Sequence, residues 1–183
     1  MTAPNLSVEF GSPVTQSLHV ATAAPGITPT GTVTIREGGT TLGTGTVSGG
    51  AASITLPARS LAVGSHTLSV EYSGDSNLNG ATTTFSVTVS KAASTTEANV
   101  KPKHPRAGHK VKLEVTVEGA HGVMATGEVT IKVNGKKLTG TLKNGEVTVK
   151  LGTFAKGDYK AKVAYDGDAN VDGSKTKVKF EVS

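Results

Sequence analysis

The feature that most constrains this chain is an internal repeat. GTVTIREGGTTLGTGTV (31–47) aligns with GEVTIKVNGKKLTGTL (127–142), so that Gly31, Val33, Ile35 and Leu42 meet Gly127, Val129, Ile131 and Leu138. Downstream, VGSHTLSVEYSGDSNLNG (63–80) meets KGDYKAKVAYDGDANVDG (156–173). Gly64, Val70, Tyr72, Gly74, Asp75, Asn77 and Gly80 stand opposite Gly157, Val163, Tyr165, Gly167, Asp168, Asn170 and Gly173. The closing runs FSVTVS (85–90) and VKFEVS (178–183) coincide as well. A repeat spread over all 183 residues implies two homologous domains, each long enough for a modest core. We place them at 1–91 and 92–183, joined near SKAAS (90–94), whose small polar residues suit a short linker.

Inside each copy the hydrophobic period is two. Val111, Leu113, Val115 and Val117 alternate with Lys110, Lys112, Glu114 and Thr116. The same alternation runs through Val129, Ile131, Val133; Val147, Val149, Leu151; Tyr159, Ala161, Val163, Tyr165; and Val178, Phe180, Val182. Strict alternation over short runs means strands buried on one face. Asn134-Gly135 and Asn144-Gly145, with Gly38-Gly39 and Gly49-Gly50 in the first copy, supply hairpin chemistry between them. About seven strands per copy with antiparallel turns predict a two-sheet sandwich.

Composition narrows the rest. Cysteine is absent, which excludes disulfides, thiol catalysis and Cys-ligated zinc, and tryptophan is absent too. No run of about 18–20 apolar residues exists to span a membrane as a helix. The start, MTAPNLSVEF, lacks the charged and apolar segments of a signal peptide, so an exported parent is expected to be longer than this chain.

G-x-V-T-I, an N-G or G-G hairpin, then G-x-(H/Y)-x-(L/A)-x-V-x-Y-x-G-D-x-N resembles the bacterial Ig-like domains found in tandem on secreted and surface proteins. The resemblance covers nearly the whole chain, twice. The Lys-rich second copy resembles the C-terminal Ig-like module of actinobacterial exported proteins. It implies an all-β architecture of two consecutive, approximately seven-stranded Ig-like antiparallel β-sandwiches, used as spacers, stalks, adhesin repeats or enzyme appendages. It brings no catalytic residues and no cofactor. It also implies a corner tyrosine at Tyr159, where the first copy has His66 and lacks the hydroxyl for a tie to the backbone.

AYDGDANVDG (164–173) reads D-x-N-x-D-G over Asp168, Asn170, Asp172 and Gly173, the first half of a calcium loop. EYSGDSNLNG (71–80) is a near copy. The twelfth position of such a loop, where a bidentate glutamate belongs, falls on Lys179 in one copy and Ser86 in the other, both in predicted strands. A structural turn therefore explains these residues better. The remaining metal candidate is a weak calcium site at Asp166, Asp168, Asn170 and Asp172. His104, His109 and His121 straddle a strand and are not expected to converge on a metal.

Charge is unevenly divided. Residues 1–90 hold two basic residues against four acidic ones, a net of −2; the remainder holds seventeen against ten, a net of +7. Strand parity sends Lys132, Lys160, Lys162, Lys175, Lys177 and Lys179 outward on strands that share one sheet in an Ig sandwich. The first copy has Thr34, Thr67, Ser69, Thr84, Ser86 and Thr88 at comparable positions. Two readings stand: a face for an anionic cell-wall polymer or polysaccharide, or a solvated surface that guards against sheet aggregation. Tyr72, Phe85, Tyr159, Tyr165 and Phe180 take the buried phase, which argues against stacking nucleobases or sugars on the sheets. No G-x-S-x-G or other nucleophile–base set stands out, so no enzyme is expected. No inward lysine is expected on the main strands, hence no isopeptide crosslink. The sequence thus predicts a structural spacer pair, a monomeric part of a larger secreted or cell-surface protein. Alternatives are a wall-attachment module, or adhesin contact through loops such as ATAAPGITPT (21–30).

Overall fold

The computed structural model describes residues 1–23 and 25–183; Ala24, within the 21–30 loop, lies outside the described residues. The chain divides into two units, Met1–Ser90 and Lys91–Ser183.

Among its described residues the first unit has seven strands: β1 (Leu6–Glu9), β2 (Val14–His19), β3 (Thr32–Glu37), β4 (Thr40–Thr46), β5 (Ala51–Leu56), β6 (Gly64–Tyr72) and β7 (Ala81–Ser90). They form a five-stranded sheet, β1-β7-β6-β3-β4, and a two-stranded sheet, β2-β5. The second unit also has seven: β8 (Ser94–Lys101), β9 (Lys110–Gly119), β10 (Glu128–Val133), β11 (Lys136–Thr141), β12 (Glu146–Thr153), β13 (Gly157–Gly167) and β14 (Asp172–Val182). Its sheets are β11-β10-β13-β14 and β12-β9-β8. A 3-10 turn, Ala120–Gly122, follows β9. Among the described residues no helix is long and apolar enough to cross a membrane.

Alternation drives the packing. In the first unit Val33, Ile35, Leu68, Val70, Val87 and Leu56 are buried; in the second, Val111, Leu113, Val115, Val129, Ile131, Val163 and Tyr165 are. Each large apolar side chain so placed contributes roughly 1.5–3 kcal/mol of burial. Of the aromatic residues predicted to point inward, Tyr72, Phe85, Tyr165 and Phe180 are buried and Tyr159 is half-buried; Phe154 joins Tyr159 and Phe180, with ring centroids 4.7 and 5.4 Å away.

The Asn-Gly pairs make the turns predicted of them. Asn134 and Asn144 take φ of 48° and 54°, followed by Gly135 and Gly145 at 73° and 78°. Both central residues of a tight hairpin turn of this hand need positive φ, which asparagine and glycine tolerate best. Gly43 and Gly140 act differently, on the edge strands β4 and β11. A Cβ at Gly140 would lie 2.5 Å from Val149 Cγ2, and one at Gly43 would lie 2.8 Å from Ile54 Cγ2. The missing side chain lets the edge of one sheet close onto the other.

The two copies differ where each begins. β1 runs parallel to β7, Leu6 to Glu9 facing Val87 to Ser90. β8 instead pairs antiparallel with β9 on the opposite sheet, Ser94 to Lys101 facing Gly119 to Lys112. After the cis Lys101–Pro102 bond the chain crosses over. Ser183 N–H then donates to Pro105 O at 3.1 Å, and Ala107 N–H donates to Ser183 O at 2.8 Å.

Candidate functional site

The six outward lysines lie together. Lys132 is on β10, Lys160 and Lys162 on β13, and Lys175, Lys177 and Lys179 on β14, all exposed on the outer face of the four-stranded sheet. Register turns proximity into rows. Lys132 faces Lys162, which faces Lys177; Lys160 faces Lys179. A seventh residue, Lys137 on β11, faces Lys132 from the other side. The row Lys137–Lys132–Lys162–Lys177 therefore crosses every strand of the sheet. Neighbouring strands lie about 4.8 Å apart, so four ammonium groups are anchored within about 15 Å. Beside this row, Thr130 and Ala164 floor a shallow trough rimmed by Lys132, Lys162 and Lys175.

Lys137 was legible in the sequence. A two-residue Asn134-Gly135 turn fixes Val133 opposite Lys136, and so Lys132 opposite Lys137.

The calcium-like segments are built otherwise. Asp168 Oδ1 accepts from the Asn170 and Val171 amides, both at 2.8 Å. Its Oδ2 accepts from Thr126 N–H at 2.8 Å and Thr126 Oγ1 at 2.6 Å. Four donors fill the four lone-pair positions of one carboxylate, leaving none for a cation. Burial alone would raise the Asp168 carboxyl, but these donors outweigh it and hold it at about 2. Asp75 repeats the arrangement with the Asn77 and Leu78 amides, Thr30 N–H and Oγ1, and the Tyr72 hydroxyl. Thr30 N–H above all, then Asn77, depress it to about 2. Asp166 and Asp172 are exposed and Asn170 half-buried. Among the described residues no cluster of three or more His, Asp or Glu could hold a metal ion. The motif pins the turn before β14 to the segment entering β10, as its copy pins the turn before β7 to the segment entering β3. The signal for the partner was the threonine preceding each G-x-V-T-I, Thr30-Gly31 and Thr126-Gly127.

The corner position holds a surprise of chemistry. Tyr159 Oη donates to Ala155 O at 3.1 Å, four residues back. His66 makes the same tie through Nε2 to Ala62 O at 2.9 Å, and its Nδ1 meets Glu37 Oε1 at 2.6 Å. The missing hydroxyl in the first domain is thus replaced by a ring nitrogen. Both ring nitrogens face acceptors, so the doubly protonated imidazolium satisfies both. The Glu37 bond raises the His66 pKa against the opposing effect of burial.

The Tyr165 hydroxyl is buried and makes no hydrogen bond of good geometry. Burial first, and the nearby Asp168 carboxylate second, push it up to about 12. It serves the core.

Comparison with known proteins agrees with this architecture. No curated protein sequence matches the chain. Among solved structures, the titin domains Z1Z2 in complex with telethonin superpose with a TM-score of 0.51 at 18% identity, over 98% of this chain and 91% of that one. The Yersinia pseudotuberculosis adhesin InvE gives a TM-score of 0.42 at 17% identity, over 98% of this chain and 58% of that one. The fibronectin(III)-like modules of Clostridium thermocellum CbhA give 0.38 at 18%, over 100% and 93%. The titin likeness shows the fold alone. A family model for the bacterial Ig-like domain (group 3) matches residues 1–90 and again residues 95–183. Two matches spanning nearly every residue, on two sandwiches of matching strand sequence, make this chain a tandem member of the bacterial Ig-like domain (group 3) family.

Proposed function

We propose that the pair is a non-catalytic spacer of a secreted or cell-surface bacterial protein, holding another part of its parent at a distance under load. The observation that carries this is the pairing at the domain ends. In the first domain the chain enters along β1 and leaves along β7, and these two strands are parallel neighbours. Tension on entry and exit therefore pulls them along their length in opposite senses. Every hydrogen bond of the ladder is loaded at once, including Phe10 N–H to Ser90 O at 2.9 Å. In the second domain Ser183 is held between Pro105 and Ala107 in the same sense. The polar side chains at the turns and corners are occupied structurally: Asp75 and Asp168 by turn amides, Tyr72, His66 and Tyr159 by backbone carbonyls.

Stretching the whole chain by its ends in a single-molecule instrument tests this. Two abrupt unfolding events are expected, each releasing about 300 Å of chain, since roughly 90 residues extend at about 3.3–3.6 Å each. Smooth extension at low force, with no discrete events, would sink the spacer reading.

A further inference from the structure

The repeat supplies its own control for the lysine sheet. The row in the first domain that matches Lys137–Lys132–Lys162–Lys177 is Thr41–Arg36–Ser69–Thr84. There the one cation, Arg36, pairs with Glu71 at 3.1 Å and donates to Thr41. A second control is the other sheet of the second domain. Its exposed positions mix Lys101, Lys112 and Lys150 with Glu97, Glu114 and Glu146, and Lys101 meets Glu114 at 3.5 Å. Lys101, Lys112 and Lys150 face one another there too, but glutamates stand among them on the same strands. Both surfaces suit solubility. The β11-β10-β13-β14 face departs from both by setting four lysines directly opposite one another with no acid in the rows on either side, which destabilises a sheet. Edge protection does not account for it, because Lys132 and Lys162 sit on the two interior strands.

Acids bound the lysines at both ends. Asp158 faces Glu181 in the row beyond Lys160–Lys179. Glu128, opposite Thr141, and the exposed Asp166 stand at the other end of β10 and β13. A polyanion lying along the strands would meet these carboxylates. One lying across the strands, on the four-lysine row, meets none.

We infer that this band binds a flexible linear phosphodiester polymer of the bacterial cell wall, laid across the strands. All seven cations of the face are lysines, compact point charges suited to phosphate oxygens. The planar forks by which arginine grips carboxylates and phosphates alike in fixed geometry are absent from it, which favours a flexible chain of separate charges over a stiff one. Tyr165 and Phe180 turn into the core, so the face has no ring on which to stack a base or a sugar. Binding is electrostatic and driven by release of counterions.

The test titrates the full chain with poly(glycerol phosphate) at several salt concentrations. Four to seven neutralised phosphates give a log–log salt slope of about −3 to −5. Lys132→Gln with Lys162→Gln is expected to weaken binding about tenfold and reduce the slope by about 1.4. Lys112→Gln with Lys150→Gln removes the same charge from the other sheet and is expected to leave both unchanged. Single-stranded DNA, whose bases find no ring to stack on here, and polygalacturonate, a stiffer chain, are expected to bind more weakly than poly(glycerol phosphate) at equal charge. Any one of three results overturns the inference: no binding by the unaltered chain at low salt, equal loss from both double variants, or equally tight binding of either comparison polymer. The first and third are read on the native protein and do not depend on any variant folding.

Discussion

At the scale of residues, a few side chains hold the sandwich corners, and their titration is readable. Asp168 ties the turn before β14 to the segment entering β10, and Asp168→Ala leaves its amide donors without an acceptor. A loss of about 1–3 kcal/mol is expected, measured as a lower denaturation midpoint for the second domain. Both clamp aspartates are depressed to about 2 in the folded chain. Their contribution is therefore full above the unfolded value of about 4 and is lost as pH falls from there toward 2. His66 has the opposite sign. Its pKa is raised in the fold, so its contribution is full below the unfolded value of about 6.5 and is lost as pH rises through the folded value. An NMR titration of the His66 ring should give a midpoint above 6.5; His66→Tyr should keep the tie to Ala62 and abolish that pH dependence. The aspartates were visible in the sequence as a repeated G-D-x-N. Their threonine partners, 45 and 42 residues upstream, do not follow from that motif, because a metal loop is local in sequence and a clamp between distant segments is not. His66 was seen only as a missing tyrosine, since a ring nitrogen can take a hydroxyl's place without sharing its chemistry.

At the scale of elements, parity carried most of the information. Alternation fixed which side chains of β10, β13 and β14 face outward, and the Asn-Gly turn fixed the register of β11. Pairing of the first strand was not legible. A short terminal run such as LSVE can add to either sheet, and the choice depends on which edge the rest of the fold leaves open. Hence β1 joins β7 while β8 joins β9. The lysine row makes its own prediction for the unliganded protein. Lys162 faces Lys132 and Lys177 at once, and its counterpart in the first domain is Ser69. Lys162→Thr should stabilise the second domain by about 0.2–1 kcal/mol, with the gain shrinking at high salt. Destabilisation, or a gain insensitive to salt, would show that the row is not under electrostatic strain.

At the scale of the molecule, the chain is two copies of one sandwich that have diverged in surface and kept their interiors. The Tyr72 and Tyr165 positions, the aspartate clamp and the paired hairpins persist, while one face has become threonine-rich and the other lysine-rich. That division fits a common mechanical role with a binding duty added to one copy. The mechanical claim rests on the parallel β1–β7 ladder. The Phe10 donation to Ser90 sets the parity of that ladder, which makes Val8 the donor two residues before it. Val8→Pro removes that donor on an edge strand. The most direct measurement is single-molecule stretching of the native chain beside this variant, with the second domain as the internal reference. One of the two unfolding events is expected to weaken sharply while the other keeps its force. Two events of unaltered force would contradict it, and would mean that the terminal ladder does not carry the load.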